Sequence, residues 1–436
     1  MTTPGTSLLA RDAKCVWHPF TQHGIPSRLL TASRAEGCYI YDADSNRYTD
    51  LISSWWVSIH GHSHPAVVDA ICQQAATLDH VLFAGATHEP AVMLAETLLE
   101  MAGMTDGKVF YSDDGSTAVE VAIKMALQFH SNKGDTRERI IAFTGGYHGD
   151  TFGAMTLGRS SHFFDKFPTT ALDVQFLDVP EIWEGQDDED ADMAAINRFE
   201  EMICDGNCAA VIFEPLVQGA SGMKFHSTRV LQGVVDTAKR HGVLVIADEI
   251  MTAFRRTGKI FATDWLETTV DILCLSKGLS GGMLPLAATL AQGYIYDVFL
   301  GETFDRALAH GHSYTGNPIA CAGALASMRL VKEQETATVC DALTAALRRE
   351  VLPLGEQFDQ LEHARVIGGI AAIDIKSGRV EYGSSVSRAM QEFYLDRGLI
   401  LRPVGRTIYL MPPYRIDETE ITRACEIIGE SVHKFL

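Results

Sequence analysis

Through the middle of the chain, short apolar runs rich in β-branched residues alternate with stretches whose apolar positions recur at helical spacing. That alternation predicts a parallel sheet covered by helices. The runs predict strands over residues 108–112, 139–143, 209–214, 243–248, 271–276 and 287–292, and helices over 115–129 and 229–241. Upstream, "GCYIYDADSNRYTDLISSWW" predicts a hairpin, with Asp44, Ser45 and Asn46 supplying the turn. Beyond about Ala326 helices alternate with strands again, among them 366–375 and 407–411. The two ends together predict a smaller α+β domain, built from residues 1–60 and 326–436, beside a large domain at 61–325.

Length supports the division, because 436 residues exceed what one ordinary core serves. Composition is that of a soluble globular chain, 46% hydrophobic and 21% charged. With 36 basic against 56 acidic residues the net charge is −20, which repels phosphate backbones and anionic membrane surfaces. The expected partners are therefore small molecules, not nucleic acid or membrane. Residues 184–192, "EGQDDEDAD", read as a solvated acidic loop, with nothing nearby to fix a metal ligand set. The nine cysteines are scattered, and Cys204 and Cys208 lack the second pair of a zinc site. No metal is expected. The start of the chain lacks a basic segment followed by an apolar run, and no stretch is long enough to span a bilayer. The expected compartment is the cytoplasm.

Candidate chemistry lies at the C-terminal ends of predicted strands, the edge where open α/β sheets bind ligands. Asp248 ends "VLVIAD", and Lys277 follows "DILCLS" and precedes the glycine-rich "GLSGG". A poorly solvated lysine there can lose its proton and attack an aldehyde, while a carboxylate can hold a proton on a pyridine nitrogen. Alone, Asp248 would be a helix cap and Lys277 a surface residue. In "FYSDDGSTAVEVAIKMA", Gly115 and Ser116 open a helix whose first N–H groups can bind a phosphate, although a Gly-Ser start by itself is an ordinary cap. Tyr147 in "TGGYHGDTFGAM" can stack on an aromatic cofactor or simply pack. Ser313 in "HGHSYTGNPIACAGA" is a second phosphate candidate, with a structural turn as the equal alternative.

These segments resemble the class III aminotransferases of fold-type I, which carry pyridoxal 5'-phosphate. Asp248, Glu249, the glycines after Lys277, the pair Thr257-Gly258, and Glu214 with Pro215 and Gln218 match that class. "WHPF", "SSWW" before "HGHSHP", "GYHGDTFGAM" and "RPVGRTIYLMPPY" resemble its branch that aminates 8-amino-7-oxononanoate to 7,8-diaminononanoate in biotin synthesis. The resemblance implies ping-pong transamination with S-adenosylmethionine as donor, Lys277 holding the cofactor and shuttling the proton, and Asp248 on the ring nitrogen. It implies that Trp55, Tyr147, Gly311, Arg402 and position 20 contact substrate, and that Tyr147 shares in catalysis. It further implies a homodimer in which His312 and Ser313 bind the partner's phosphate. The planar fork of Arg402 suits a substrate carboxylate. Three positions depart from the pattern: Phe20 replaces a tyrosine, His312 and Ser313 replace Pro-Thr, and Arg255 replaces a small residue. The alternatives are a broad ω-amino-acid:pyruvate transaminase, which the "SSWW" pair and Arg402 oppose and Phe20 favours, and a non-catalytic cofactor-binding regulator, which an intact Lys277 opposes.

Overall fold

The computed structural model describes residues 7–158, 167, 171–376, 378 and 380–436. Near its start β1 (Ala32–Glu36), β2 (Tyr39–Asp42) and β3 (Arg47–Asp50) form an antiparallel meander. Asp42 accepts the N–H groups of Asp44 at 2.9 Å and Asn46 at 2.8 Å, which closes the turn between β2 and β3 as its Asp-Ser-Asn composition predicts. Further along come β4 (Lys108–Ser112), β5 (Arg139–Phe143), β6 (Val174–Leu177), β7 (Cys208–Phe213), the short pair β8 (Val217–Gln218) and β9 (Lys224–Phe225), β10 (Leu244–Asp248), β11 (Ile272–Leu275) and β12 (Ala287–Ala291). The last strands are β13 (Leu361–Ile367), β14 (Ile370–Ile375), β15 (Leu399–Ile400) and β16 (Thr407–Leu410).

Seven strands make the central sheet in the order β4-β12-β11-β10-β7-β5-β6. β12 runs antiparallel to both its neighbours, and the other adjacent pairs are parallel. β7, β10, β11 and β12 are buried at every position, so they read as continuous apolar runs and not as alternating ones. Their side chains still alternate between faces: Val211, Val245 and Leu273 join one core, and Ala210, Ile246 and Ile272 the other. Helix Thr228–Arg240 covers the first face and helix Gly115–Asn132 the second. Because the parallel strands share a direction, the residues after β4, β5, β7, β10 and β11 emerge along one edge.

The chain ends build two smaller sheets. β15 adds in parallel to β3, giving the order β1-β2-β3-β15, and β13-β14-β16 is antiparallel. Among the described residues no helix is long and apolar enough to cross a membrane. No group of three or more His, Cys, Asp or Glu there could hold a metal ion.

Predicted strand limits in the central sheet hold to within one residue, while two other expectations need correction. Residues 366–375 are not one strand but the end of β13, a turn, and β14. Gly368 permits the reversal at φ 52°, where a Cβ would come within 2.4 Å of the Arg256 carbonyl oxygen. The acidic stretch 184–192 is only half loop, because helix Glu189–Ile203 begins inside it with Asp188 as its cap. Negative side chains suit the positive end of a helix, and Asp192 is buried against Ser227 and Arg229. The apolar pattern also left β1 and β6 unpredicted: the exposed "ASRAE" of β1 carries no alternation, and β6 is an edge strand of four residues.

Candidate active site

Along the shared edge opens a cavity of about 690 Å³ whose walls include Trp56, Gly115, Ser116, Tyr147, Asp248 and Lys277. Ser112 ends β4, Asp114 caps the next helix by accepting the Thr117 N–H at 2.9 Å, and the N–H groups of Gly115 and Ser116 then have no partner within the helix. The loop after β5 closes tightly over this corner. Gly149, at φ 122°, lies so near that an added Cβ would fall 1.8 Å from Ser116 Oγ, and Ser116 Oγ accepts the Asp150 N–H at 2.7 Å. A Cβ on Gly115 would meet Ile250 Cδ1 at 2.9 Å. Backbone donors and space for an anion thus coincide at the helix end.

Asp248 projects from the end of β10 and is 3% exposed. One carboxylate oxygen lies 2.7 Å from His148 Nδ1, and the other accepts the Ile250 N–H at 3.1 Å. The His148 side chain is fully buried beneath the cavity, with Nδ1 toward Asp248 and Nε2 beside Gly146. Glu214, at the end of β7, accepts the N–H groups of Tyr147 at 2.9 Å and Gly219 at 3.0 Å. Burial, helped by the Asp248 charge, pushes its carboxyl up to about 7. Burial also pushes the Tyr147 phenol up, so it stays protonated at neutral pH.

Lys277 follows β11 and adopts φ 48°, a left-handed conformation that costs a side-chain-bearing residue of order 1 kcal/mol or more. Its ammonium stands 4.6 Å from the centre of the Trp56 ring. Poor solvation lowers its pKa from the usual lysine value, against the pull of the Asp248 and Glu214 charges. Trp56 is therefore the tryptophan of the "SSWW" pair that faces Lys277; its indole N–H donates to Tyr409 Oη at 3.1 Å.

Trp55 turns the other way, into a neighbouring cavity of about 300 Å³ lined also by Ser54, Tyr382, Arg402 and Tyr409. Phe20 meets the Trp55 ring edge-on at 5.5 Å, and the Arg402 guanidinium lies 5.4 Å from the same ring. The structure thus gathers Phe20, Trp55 and Arg402 in one cluster and Gly115, Ser116, Tyr147, Asp248 and Lys277 in another. Gly311, His312 and Ser313 line neither cavity. His312 Nε2 is 3.7 Å from Asp113, and Ser313 is exposed.

The two tryptophans diverge because Ser53–Trp56 forms a single turn with left-handed backbone, φ being 48°, 47°, 71° and 75° at successive residues. Trp56 N–H donates to the Ile52 carbonyl at 2.8 Å and Val57 N–H to that of Ser53 at 2.9 Å. Ser54 Oγ donates to buried Asp50 at 2.8 Å, and His62 Nε2 lies 2.9 Å from the same oxygen.

Residues 21–432 match the Aminotransferase class-III family. The chain belongs to that family. The adenosylmethionine-8-amino-7-oxononanoate aminotransferase of Synechococcus elongatus is 45% identical over 410 residues, 93% of this chain and 95% of that one. The crystal structure of the Methanocaldococcus jannaschii protein of the same name superposes with a TM-score of 0.89 at 34% identity, covering 97% of this chain and 98% of that one. An amine transaminase from an uncultivated Pseudomonas species, solved in its PLP-bound form, gives 0.90 at 29%, covering 97% and 99%.

As a class III aminotransferase the chain uses pyridoxal 5'-phosphate, and the large cavity fits it. Donors at Gly115 and Ser116 suit a phosphate, the Asp248 carboxylate suits a ring nitrogen, and the Lys277 amine suits an aldehyde. His148 and Trp56 join this site without having been singled out for it in the sequence, and Glu214, noted there only as a class match, joins them. His148 is the second member of "YHGD", one residue past the tyrosine that drew attention, and only the fold brings it to Asp248.

Proposed function

We propose that this chain transfers an amino group to 8-amino-7-oxononanoate, giving 7,8-diaminononanoate, with S-adenosylmethionine as donor, in biotin biosynthesis. The observation that carries this reading is the likeness, over nearly the whole chain, to proteins named for that substrate and donor. The cluster of Trp55 and Arg402 beside the Lys277 cavity supports it, since both substrates carry a carboxylate that a guanidinium can grip.

Bound pyridoxal phosphate supplies an aldehyde that accepts and releases the amino group and a ring that stores electrons between the two. The N–H groups of Gly115 and Ser116 hold the phosphate. Asp248, its carboxylate fixed by His148 and the Ile250 N–H, keeps a proton on the ring nitrogen. Lys277, poorly solvated, gives up its proton more readily than an exposed lysine and acts as base at the substrate carbon that bears nitrogen. Trp56 and the loop carrying Tyr147 wall the site from water.

The reading includes a homodimer with Gly311, His312 and Ser313 serving the partner's site, and a cytoplasmic location. Leu82 and Tyr314, more than half exposed on segments in mutual contact, support the first. All nine cysteines being unpaired supports the second. A broad amine transaminase is the second reading, favoured by Phe20 in place of a tyrosine and by the Pseudomonas structure. Purified holoenzyme supplied with 8-amino-7-oxononanoate and a panel of donors decides between them. The diamine should form with S-adenosylmethionine; turnover of simple amines with pyruvate and none of the keto acid would reject the proposal.

A further inference from the structure

Arg402 is held in place before any ligand arrives, and a residue outside the matched motifs does much of the holding. Its Nη2 donates to the Tyr382 hydroxyl at 2.6 Å and to the Phe20 carbonyl at 3.2 Å. Two rings stand beside the guanidinium, Trp55 at 5.4 Å and Tyr382 at 5.5 Å from the guanidinium carbon to the ring centre. Arg402 Nε and Nη1 make no hydrogen bond among the described residues, so donors remain for a ligand in the cavity that Arg402 and Tyr382 both line. Tyr382 also lines a second cavity of about 300 Å³, walled by Lys224, Arg365 and Arg406, and so forms part of the partition between the two. Were the hydroxyl absent, Nη2 would keep one acceptor and the side chain could swing across that partition.

We propose that Tyr382 is a positioning residue that sets the enzyme's preference for substrates bearing a carboxylate, by fixing Arg402 through the hydroxyl-to-Nη2 hydrogen bond. This rests on the reading of Arg402 as the carboxylate site. An unfixed arginine loses much of its rotational freedom each time it binds, whereas one held beforehand has already lost it. The hydroxyl should therefore strengthen binding of a charged carboxylate and leave an uncharged end group unaffected.

The test measures binding of nonanoate and of 1-nonanol to the holoenzyme by calorimetry, for the unaltered protein and for Tyr382→Phe. Tyr382→Phe keeps the ring, and an unchanged visible spectrum of the bound cofactor shows that the fold and the Lys277 site persist. Expected is a weakening of about tenfold for nonanoate, the size of one hydrogen bond to a charged group, against less than about twofold for nonanol. An equal change for the two ligands, no change for either, or an unaltered protein without preference for nonanoate would overturn the proposal. Turnover of 8-amino-7-oxononanoate by the unaltered enzyme is scored separately, so the reaction can prove wrong while the carboxylate preference stands.

Discussion

Lys277 and Glu214 both line the cavity, and the Glu214 charge pulls the lysine's pKa up against the burial that lowers it. On the proposed reading, Lys277→Ala takes away both the link to the cofactor and the base at the substrate carbon. Turnover should fall by about 100- to 10,000-fold or more while the protein still binds cofactor, and full activity in the variant would exclude the assigned role. Glu214 gives a prediction in pH. Its folded value of about 7 lies above the ordinary 4.5, so between those values the folded chain holds a proton that the unfolded chain has lost. That contribution favours folding at pH 4.5 and is lost as pH rises through 7. Thermal unfolding of Glu214→Gln, followed across this range, should therefore show a smaller loss of stability with rising pH than the unaltered protein. A larger loss would mean that the buried carboxyl is ionised throughout.

A single turn, Ser53–Trp56, sends Trp56 to Lys277 and Trp55 to Arg402, and it does so in the backbone region that L-residues avoid. Left-handed geometry costs roughly 1–2 kcal/mol per residue, offset here by the bonds through Asp50, Ser53 and Ser54. Ser54→Ala loses the Asp50 bond and keeps the strain, whereas Ser54→Gly loses the bond and relieves the strain. The glycine variant should be the more stable by about 1 kcal/mol in urea unfolding, opposite to the order in an ordinary helix. If alanine proved the better residue, the turn would not be left-handed in solution. This turn also marks where sequence reading ends. Buried parallel strands advertise themselves by apolar runs, and Asp248 and Lys277 stand out as charges at the ends of such runs. The direction of each tryptophan depends on φ values set by Asp50 and His62, and adjacent identical residues carry no sign of which faces the lysine. Tyr382 was illegible for another reason: it lies 20 positions from Arg402, in a segment without periodic pattern.

At the scale of the molecule, the segment that holds Ser313 lines neither the Lys277 cavity nor the Trp55 cavity of its own chain, while Leu82 and Tyr314 are exposed apolar groups on touching segments. A second copy docking there in C₂ symmetry would cover them. Sedimentation should give twice the chain mass of 47.7 kDa, and mixing inactive Lys277→Ala with inactive Ser313→Asp protein should restore part of the activity if the two residues serve one site from different chains. A fully active monomer would remove Ser313 from the site.

β15 lies beside β3, and Thr49 in β3 donates to Glu420 across 371 positions of chain. During synthesis, then, the first hairpin leaves the ribosome with one edge unsatisfied and keeps it so until nearly the last residues emerge. The central sheet, whose strands lie nearer one another in sequence, has time to form before that edge is covered. The strand that leads into the tryptophan turn is thus completed late, so a nascent chain stopped short of β15 would carry Lys277 on a formed sheet while that strand still lacks its neighbour.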